Sequence, residues 1–285
     1  MHAPCRTTLI APAKINLALC VAGKRPDGYH EVVTVLHRLD LCDELELTLS
    51  DSSGIRLECP SGRAPHGPDN LAYRAAELFL EKTKVRCGVR MVLHKRIPVA
   101  AGLGGGSSDA ASVLLGLNRL TGEWLSREEL ARMGAALGSD VPFFVWELTT
   151  ARGTGRGDAI EPVDVPAGWY VVVNPGFGVS TAWVYAHLNL KLTRGENPFI
   201  KSLLNRDSFE IDQILHNDLE EVTGRRYPVI LEIKQALLKL GSRGSLMSGS
   251  GLSVFGYFTD ETGAEHALER LGRETGFLCF LARSY

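Results

Sequence analysis

One segment constrains this chain more than any other: Pro98-Val99-Ala100-Ala101-Gly102-Leu103-Gly104-Gly105-Gly106-Ser107-Ser108. It runs directly into Asp109-Ala110-Ala111-Ser112-Val113-Leu114, whose apolar spacing continues to Leu120 and predicts a helix over Ser108–Leu120 stopped by Gly122. Glycines lack Cβ and reach positive φ, so consecutive backbone N–H groups can converge on an anion. A helix N-terminus adds unpaired N–H groups and the positive end of its dipole. The serines can cap the helix, contact a phosphate or reach a metal. An ordinary flexible loop before a capped helix is the bland alternative.

Several phosphate-binding architectures are excluded. The pattern G-x-x-x-x-G-K-[ST] is absent. The dinucleotide fingerprint G-x-G-x-x-G fails, because counting from Gly102 and Gly104 the sixth position is Ser107, and Pro98 stands where a strand should end. Neither H-R-D nor D-F-G occurs, which removes the protein-kinase set.

Composition sets the class. Of 285 residues 45% are hydrophobic and 22% charged, the balance of an ordinary globular protein rather than a disordered or fibrous one. Lys plus Arg number 31 against 33 Asp plus Glu, a formal net charge of -2, so bulk attraction to nucleic acid or to an anionic membrane is not expected. The six cysteines, at 5, 20, 42, 59, 87 and 279, form no C-x-x-C pair and are expected to be reduced, in a cytoplasmic protein. Met1 to Ile15 has no apolar run of the signal-peptide kind. The uncharged stretch Val165–Leu190 is broken by Pro166, Asn174, Pro175 and Gly176 and is not expected to span a membrane.

The pattern along the chain predicts strands at Ile15–Val21, Glu31–Leu36 and Glu44–Leu49, the first two joined by a turn at Pro26-Asp27-Gly28. Asp69 is expected to cap a helix running to Glu81, with Leu71, Ala75, Leu78 and Phe79 on its inner face. A strand follows at Val89–Leu93. Ser126-Arg127-Glu128-Glu129 is a capping box for a helix ending at Gly138. The segment turns Pro/Gly-rich around Pro162–Gly168, and the domain boundary is placed there, dividing 1–163 from 164–285. The second part predicts strands at Trp169–Val173, Leu252–Phe258 and Phe277–Ala282, with helices at Pro228–Leu240 and Ala264–Leu271. Without strict βαβ alternation, the fold class is α+β.

The glycine segment resembles the phosphate loop of the superfamily that includes galactokinase, homoserine kinase, mevalonate kinase and phosphomevalonate kinase. Ala11-Pro12-Ala13-Lys14-Ile15-Asn16-Leu17 resembles its N-terminal motif, and Leu246-Met247-Ser248-Gly249-Ser250-Gly251 its C-terminal glycine loop. Together with Arg25-Pro26-Asp27-Gly28-Tyr29-His30 and Gly138-Ser139-Asp140-Val141-Pro142, they are collinear with one branch of it. That branch phosphorylates the 2-hydroxyl of a diphosphocytidyl-methylerythritol on the non-mevalonate route to isoprenoids. The resemblance implies a two-domain kinase fold with the active site between domains, ATP as donor and usually Mg²⁺. It implies a small-molecule substrate, a monomer or homodimer, and no nucleic-acid or membrane partner.

Carried over position by position, the resemblance makes Lys14 and Asp140 catalytic. It makes Pro98–Ser108 the ATP-binding loop, and Asn16, Tyr29, His30, Thr181 and Tyr185 the substrate-binding residues. Read as residues alone, Asp140 could equally cap a helix two residues before Pro142, and Lys14 could be a solvated strand-end lysine. Tyr29 and Tyr185 could sandwich a pyrimidine by offset stacking or be ordinary half-buried tyrosines. His30 could read a base edge; Thr181 could instead cap a helix starting near Ala182. Arg152-Gly153-Thr154-Gly155-Arg156-Gly157 fits a hairpin better than a turn at the phosphates. Asp109 stands where some relatives carry Asn, and no acidic metal ligand can be named. A mevalonate- or homoserine-type kinase, a non-catalytic nucleotide- or RNA-binding module and a dinucleotide oxidoreductase are the rival readings.

Overall fold

The computed structural model describes residues 5–188 and 198–285, so Asn189 and Leu190, the end of the uncharged stretch, lie outside the described residues. The chain forms two compact units that interleave in sequence. Residues 1–13, 42–99 and 104–147 make the first; 14–41, 100–103 and 148–285 make the second. The two longest strands, β1 (Arg6–Lys24) and β2 (His30–Ser50), each run through both units.

In the first unit the second half of β2 pairs antiparallel with β4 (Gly88–His94), which pairs parallel with β3 (Gly54–Glu58). Four helices cover this sheet: α1 (Leu71–Thr83), α2 (Gly105–Thr121), α3 (Arg127–Leu137) and α4 (Val141–Val145). Phe79, Val113, Leu114, Leu117 and Phe143 of these helices and Leu45, Leu47, Met91 and Leu93 of the strands are all buried. Gly116 lets α2 lie close: a Cβ there would come within 2.5 Å of Leu9 and 2.9 Å of Leu47.

In the second unit the first half of β2 pairs with β5 (Thr150–Thr154), and β5 with β6 (Ala159–Pro162), so Arg152–Gly157 lies in a hairpin. A second sheet has the order β11–β7–β10–β9, all antiparallel. Its strands are β7 (Trp169–Asn174), β9 (Gly244–Met247), β10 (Val254–Phe258) and β11 (Leu278–Arg283). Short helices α5 (Thr181–Ala186), α6 (Pro198–Leu204) and α7 (Ile211–Ile214) precede β8 (His216–Asn217), which pairs with Ala18 and Leu19 of β1. Helices α8 (Asp218–Arg226), α9 (Val229–Lys239) and α10 (Glu261–Glu274) complete the unit. Ile230, Ile233, Leu237, Ala264, Ala267 and Leu271 from α9 and α10 share one core with Val171, Val173, Val254 and Phe258 of the sheet.

Three expectations are corrected. Glu31–Leu36 and Glu44–Leu49 are one 21-residue strand. The alternation continues through His37, Leu39, Leu41 and Asp43, all buried, but two of these inward positions are polar and hide it. Burial pushes the His37 pKa down to about 3, so it sits neutral, with Nδ1 2.6 Å from Thr150 Oγ1. Helix α1 is capped by Asn70, not Asp69, through Asn70 Oδ1 accepting from the Ala72 N–H at 2.9 Å; its buried face is Ala72, Ala75, Ala76 and Phe79. Helix α2 starts three residues before Ser108, so two of the loop glycines are helical. The capping box at Ser126 is present in full. Ser126→Ala is therefore expected to lower stability by about 1 kcal/mol, read from the urea midpoint at unchanged m-value.

Candidate functional site

The second unit brings three of the sequence motifs onto one hydroxyl. Ser248 Oγ donates to the Gly102 carbonyl at 2.9 Å and accepts the Asn16 N–H at 3.2 Å. Asn16 therefore sits against both glycine loops. Its Oδ1 accepts from Lys14 Nζ at 2.7 Å, and its Nδ2 donates to Thr34 Oγ1 at 2.9 Å. Thr34 in turn donates to the Ala18 carbonyl at 2.6 Å, and the Lys14 N–H donates to the Leu103 carbonyl at 2.9 Å. Lys14, Asn16, Thr34 and Ser248 are all buried. Buried polar groups persist only when hydrogen-bonded, and this network satisfies them reciprocally. Lys14 is thus no solvated strand-end lysine.

Backbone contacts explain the glycines. Gly102 has φ 78°, and a Cβ on it would stand 2.1 Å from the Ser248 carbonyl oxygen. A Cβ on Gly249, φ 58°, would press on Asn16 Oδ1 and the Gly102 carbonyl, each at 3.3 Å. The Ser253 N–H donates to the Ala101 carbonyl at 3.2 Å. Asn217 supports the same loop from the start of α8, donating to the Met247 and Gly249 carbonyls at 2.7 and 2.8 Å.

The aromatic candidates lie in this unit too. Tyr185 stacks on His30, ring centres 4.8 Å apart at 27°. Tyr29, 57% exposed, lies under the Arg156 guanidinium at 5.0 Å. So it is His30, not Tyr29, that faces the Tyr185 ring. Burial and the Lys24 charge lower the His30 pKa, which favours the neutral imidazole, able to donate and accept. Thr181 does not cap α5: Ser180 does, accepting from the Trp183 N–H at 3.4 Å. The Thr181 hydroxyl is paired at 2.8 Å with that of Ser250, in the C-terminal glycine loop.

In the first unit the later part of the loop becomes a helix start. Gly104 takes φ 70° at the N-cap of α2, and the Ser108 N–H makes the first intrahelical bond, to the Gly104 carbonyl. The N–H groups of Gly105, Gly106 and Ser107 are first-turn donors, the arrangement that binds anions. Just before this turn lies a buried charge cluster that the motifs do not reveal. Lys95 Nζ bonds to Asp43 and, at 2.8 Å, to Asp109 of α2. Asp43 Oδ1 also accepts the Arg96 and Ile97 N–H groups, at 2.6 and 2.9 Å. Burial works against the Lys95 charge, yet Asp109 and Asp43 outweigh it and raise its pKa. Burial pushes the Asp109 carboxyl well above the usual carboxylate range, Lys95 opposing and Asp43 adding to the shift. Asp109 Oδ1 and Ser108 Oγ are buried without a hydrogen-bond partner among the described residues.

A Cβ on Gly105 would point at Ile97, 3.0 Å away, and at Lys95 Nζ, 3.2 Å away. Glycine there serves packing onto the charge cluster, rather than the approach of an anion. Asp140 occupies the N-cap position of α4, but its side chain makes no capping hydrogen bond. The capping alternative therefore does not account for its carboxylate. Lys95 and Asp43 were missed because an isolated Lys and an isolated Asp, 52 residues apart, carry no spacing signal.

Gly102→Ala is expected to destabilise by about 1–3 kcal/mol or more, through overpacking against backbone and a strained φ. Gly106→Ala should be far milder, since its Cβ would meet only Leu71 at 3.6 Å. Lys95→Met should cost about 3–5 kcal/mol by stranding two buried carboxylates. Urea unfolding of the three variants checks the ranking.

A family model described as the GHMP kinases N terminal domain matches residues 70–147, and one described as GHMP kinases C terminal matches 199–276. The chain is 48% identical to the 4-diphosphocytidyl-2-C-methyl-D-erythritol kinase of Citrifermentans bemidjiense, over 97% of this chain and 98% of that one. It is 49% identical to the protein of the same name from Geobacter sulfurreducens, over 95% and 97%. A crystal structure of 4-(cytidine 5'-diphospho)-2C-methyl-D-erythritol kinase superposes with a TM-score of 0.79 at 36% identity, covering 98% of this chain and all of the other. The Methanococcus jannaschii mevalonate kinase, 14% identical with a TM-score of 0.74 over 98% of each chain, shares the fold. With two superfamily domains matched in order and nearly half of all residues shared end to end, the chain belongs to the 4-diphosphocytidyl-2-C-methyl-D-erythritol kinase family of the GHMP kinases.

Proposed function

We propose that this protein transfers the γ-phosphoryl group of ATP to the 2-hydroxyl of 4-diphosphocytidyl-2-C-methyl-D-erythritol, in the cytoplasm, on the non-mevalonate isoprenoid route. The observation that carries the proposal is the buried Lys14–Asn16–Ser248–Gly102 network, which holds the N-terminal motif against both glycine loops. Phosphoryl transfer through a loose transition state asks for positioning and charge stabilisation more than covalent chemistry. The substrate oxygen bonds to the γ-phosphorus, the bond from phosphorus to the bridging oxygen of ADP breaks, and the hydroxyl proton passes to the Asp140 carboxylate. A carboxylate of reference pKa ~3.9 is a weak base for an alcohol, so this proton moves late and Asp140 first orients the hydroxyl. Lys14 stabilises negative charge on the γ-phosphoryl oxygens. Pro98–Ser108 holds the nucleotide phosphates, chiefly through the α2 first-turn N–H groups.

Mg²⁺ takes oxygen donors, retains waters and binds largely through substrate phosphates. The Asp43–Asp109 pair does not fit it, since the Lys95 ammonium already lies between those carboxylates. The buried, unpartnered Ser108 hydroxyl fits as a neutral oxygen ligand beside the phosphates. Bound there, the ion neutralises charge on the phosphate oxygens.

For the acceptor, Tyr185 offers a ring face, already taken up by a flat neighbour in His30, and Tyr29 an exposed one. The cytosine stacks between the two tyrosines, His30 turning from the Tyr185 face to the base edge. Asn16 and Thr181 hold the methylerythritol end. Mevalonate and homoserine carry no base, so the aromatic set distinguishes this reading from its nearest rivals.

The test is ADP release with Mg-ATP, offering the diphosphocytidyl substrate, mevalonate and homoserine in parallel; turnover with the first alone is expected, and turnover with either other alcohol overturns the acceptor assignment. Asp140→Asn should lower kcat by about 10²–10⁴-fold at near-unchanged ATP affinity. Tyr185→Ala should raise KM for the cytidylyl substrate while leaving KM for ATP in place; an equal rise in both would remove the stacking role.

A further inference from the structure

Away from the kinase motifs, β1, β8 and α8 bring a thiol, an imidazole and a carboxylate together. Cys20 lies on β1, His216 on β8 and Asp218 at the first position of α8; one ligand atom from each falls within 4.8 Å of the others. The arrangement is fixed by backbone. The bridge between Ala18 of β1 and His216 of β8 sets the strands side by side, so Cys20 comes level with the start of α8. Asp218 is held by its far oxygen: Oδ2 accepts the Val21 N–H at 2.6 Å, leaving Oδ1 toward the cluster. The His216 ring is steadied edge-on by Phe199, centres 5.2 Å apart, and its Nε2 donates to Asp218 Oδ1 at 2.7 Å.

Access is also built in. His216 and Asp218 line a cavity of about 530 Å³ whose wall includes His187, Glu220 and Lys234, while Cys20 lies buried behind them. An ion entering from the cavity reaches imidazole and carboxylate first and the thiol last. Sulfur, nitrogen and oxygen on one point, reached from a cavity lined by both charged and apolar side chains, is the donor set of a borderline-soft divalent cation such as Zn²⁺, and not of Mg²⁺ or Ca²⁺. The Val21 N–H on Asp218 is the kind of outer hydrogen bond that orients a metal-binding carboxylate.

We propose that Cys20, His216 and Asp218 form a three-ligand site for a Zn²⁺-type ion, separate from the phosphoryl-transfer machinery, with water from the cavity as fourth ligand. Tetrahedral bonds of ~2.0 Å to nitrogen and oxygen and ~2.3 Å to sulfur need ligand atoms roughly 3.3–3.7 Å apart. The ion therefore opens the His216–Asp218 hydrogen bond slightly and draws the thiol inward. Burial, with the Asp218 charge adding to it, pushes the Cys20 thiol up to about 12, so the sulfur carries its proton until the ion displaces it to solvent. The site would clip β1 to the head of α8, the helix whose Asn217 cap supports the C-terminal glycine loop.

The experiment uses Co²⁺ as an optical stand-in for Zn²⁺, on nucleotide-free, fully reduced protein, because ATP itself chelates divalent ions. One equivalent of Co²⁺ should give a thiolate-to-metal charge-transfer band with tetrahedral d–d absorption, and Zn²⁺ should bleach both. Cys20→Ala should abolish the charge-transfer band. His216→Ala, a change at a half-exposed side chain that leaves the fold intact, should weaken Co²⁺ binding by about 10-fold or more. Zn²⁺ should raise the melting temperature of the wild type and of neither variant. Absence of the band, or a band that survives Cys20→Ala and so belongs to another of the thiols, overturns the site. ADP release by the Cys20→Ala variant at wild-type rate separates this outcome from the kinase assignment, since Cys20 takes no part in that reaction.

Discussion

A single hydroxyl bears much of the second unit's site. Ser248 donates to one glycine loop and accepts from the backbone of the strand that carries Lys14 and Asn16. The bond to the Asn16 N–H is buried and the one to the Gly102 carbonyl partly so, and losing the buried one leaves a desolvated partner at a cost of about 1–3 kcal/mol. That cost is what makes the arrangement unique. Asn16 can present its amide oxygen to Lys14 only because its backbone is pinned by Ser248 and its amide nitrogen by Thr34. The ammonium is thus aimed through a chain of neutral groups, each satisfied, rather than by the fit of apolar side chains around it.

The first unit solves a similar problem with charge. Lys95, Asp43 and Asp109 are all buried, and desolvating three ions is costly even when they pair. The geometry offsets that cost by adding backbone: Asp43 ties down the Arg96 and Ile97 N–H groups, and Asp109 is carried by α2 just after its first turn. The cluster therefore fixes both ends of the segment that becomes the phosphate loop. Apolar residues could fill the same volume, but they could not hold a backbone amide in register. Two carboxylates around one ammonium also explain why the pair is unsuited to a divalent cation, although acidic side chains gather there.

How much of this was legible in the sequence depends on what kind of signal each part left. Elements with clean local signals are legible: α9, the capping box of α3, and β7, β10 and β11 within a residue or two. Strand β2 did not, because His37 and Asp43 face inward and break the apolar rhythm that announces a strand. The sequence does not announce the start of α2, because glycine is the poorest helix former after proline, yet Gly105 and Gly106 are helical here, tertiary contacts overriding propensity. The motif residues were visible because they cluster: Lys14 with Asn16, Tyr29 with His30, the glycines with Ser107 and Ser108. Residues that act from a distance left no mark. Ser248 could be seen as part of a glycine loop, but not as the group that ties it to Asn16, and Lys95 and Asp43 are single charges far apart in the chain. The Tyr185–His30 stack is likewise a product of the fold, since only tertiary structure decides which of Tyr29 and His30 turns toward α5.

The glycines show why a phosphate loop is harder to interpret than its motif suggests. Read from sequence, every glycine in Gly102–Gly106 clears a path for backbone to approach an anion. In the structure they do different things. Gly102 is a glycine because the Ser248 carbonyl lies where its side chain would be, and Gly105 because Ile97 and Lys95 do. Gly106, by contrast, has room of the kind a ligand could use, and its neighbours in the first turn of α2 supply the unpaired donors. The loop's anion-binding shape is thus set from behind, by the hydroxyl and charge networks on which it rests. A substitution that spares every phosphate contact can still abolish the site by lifting the loop off its supports.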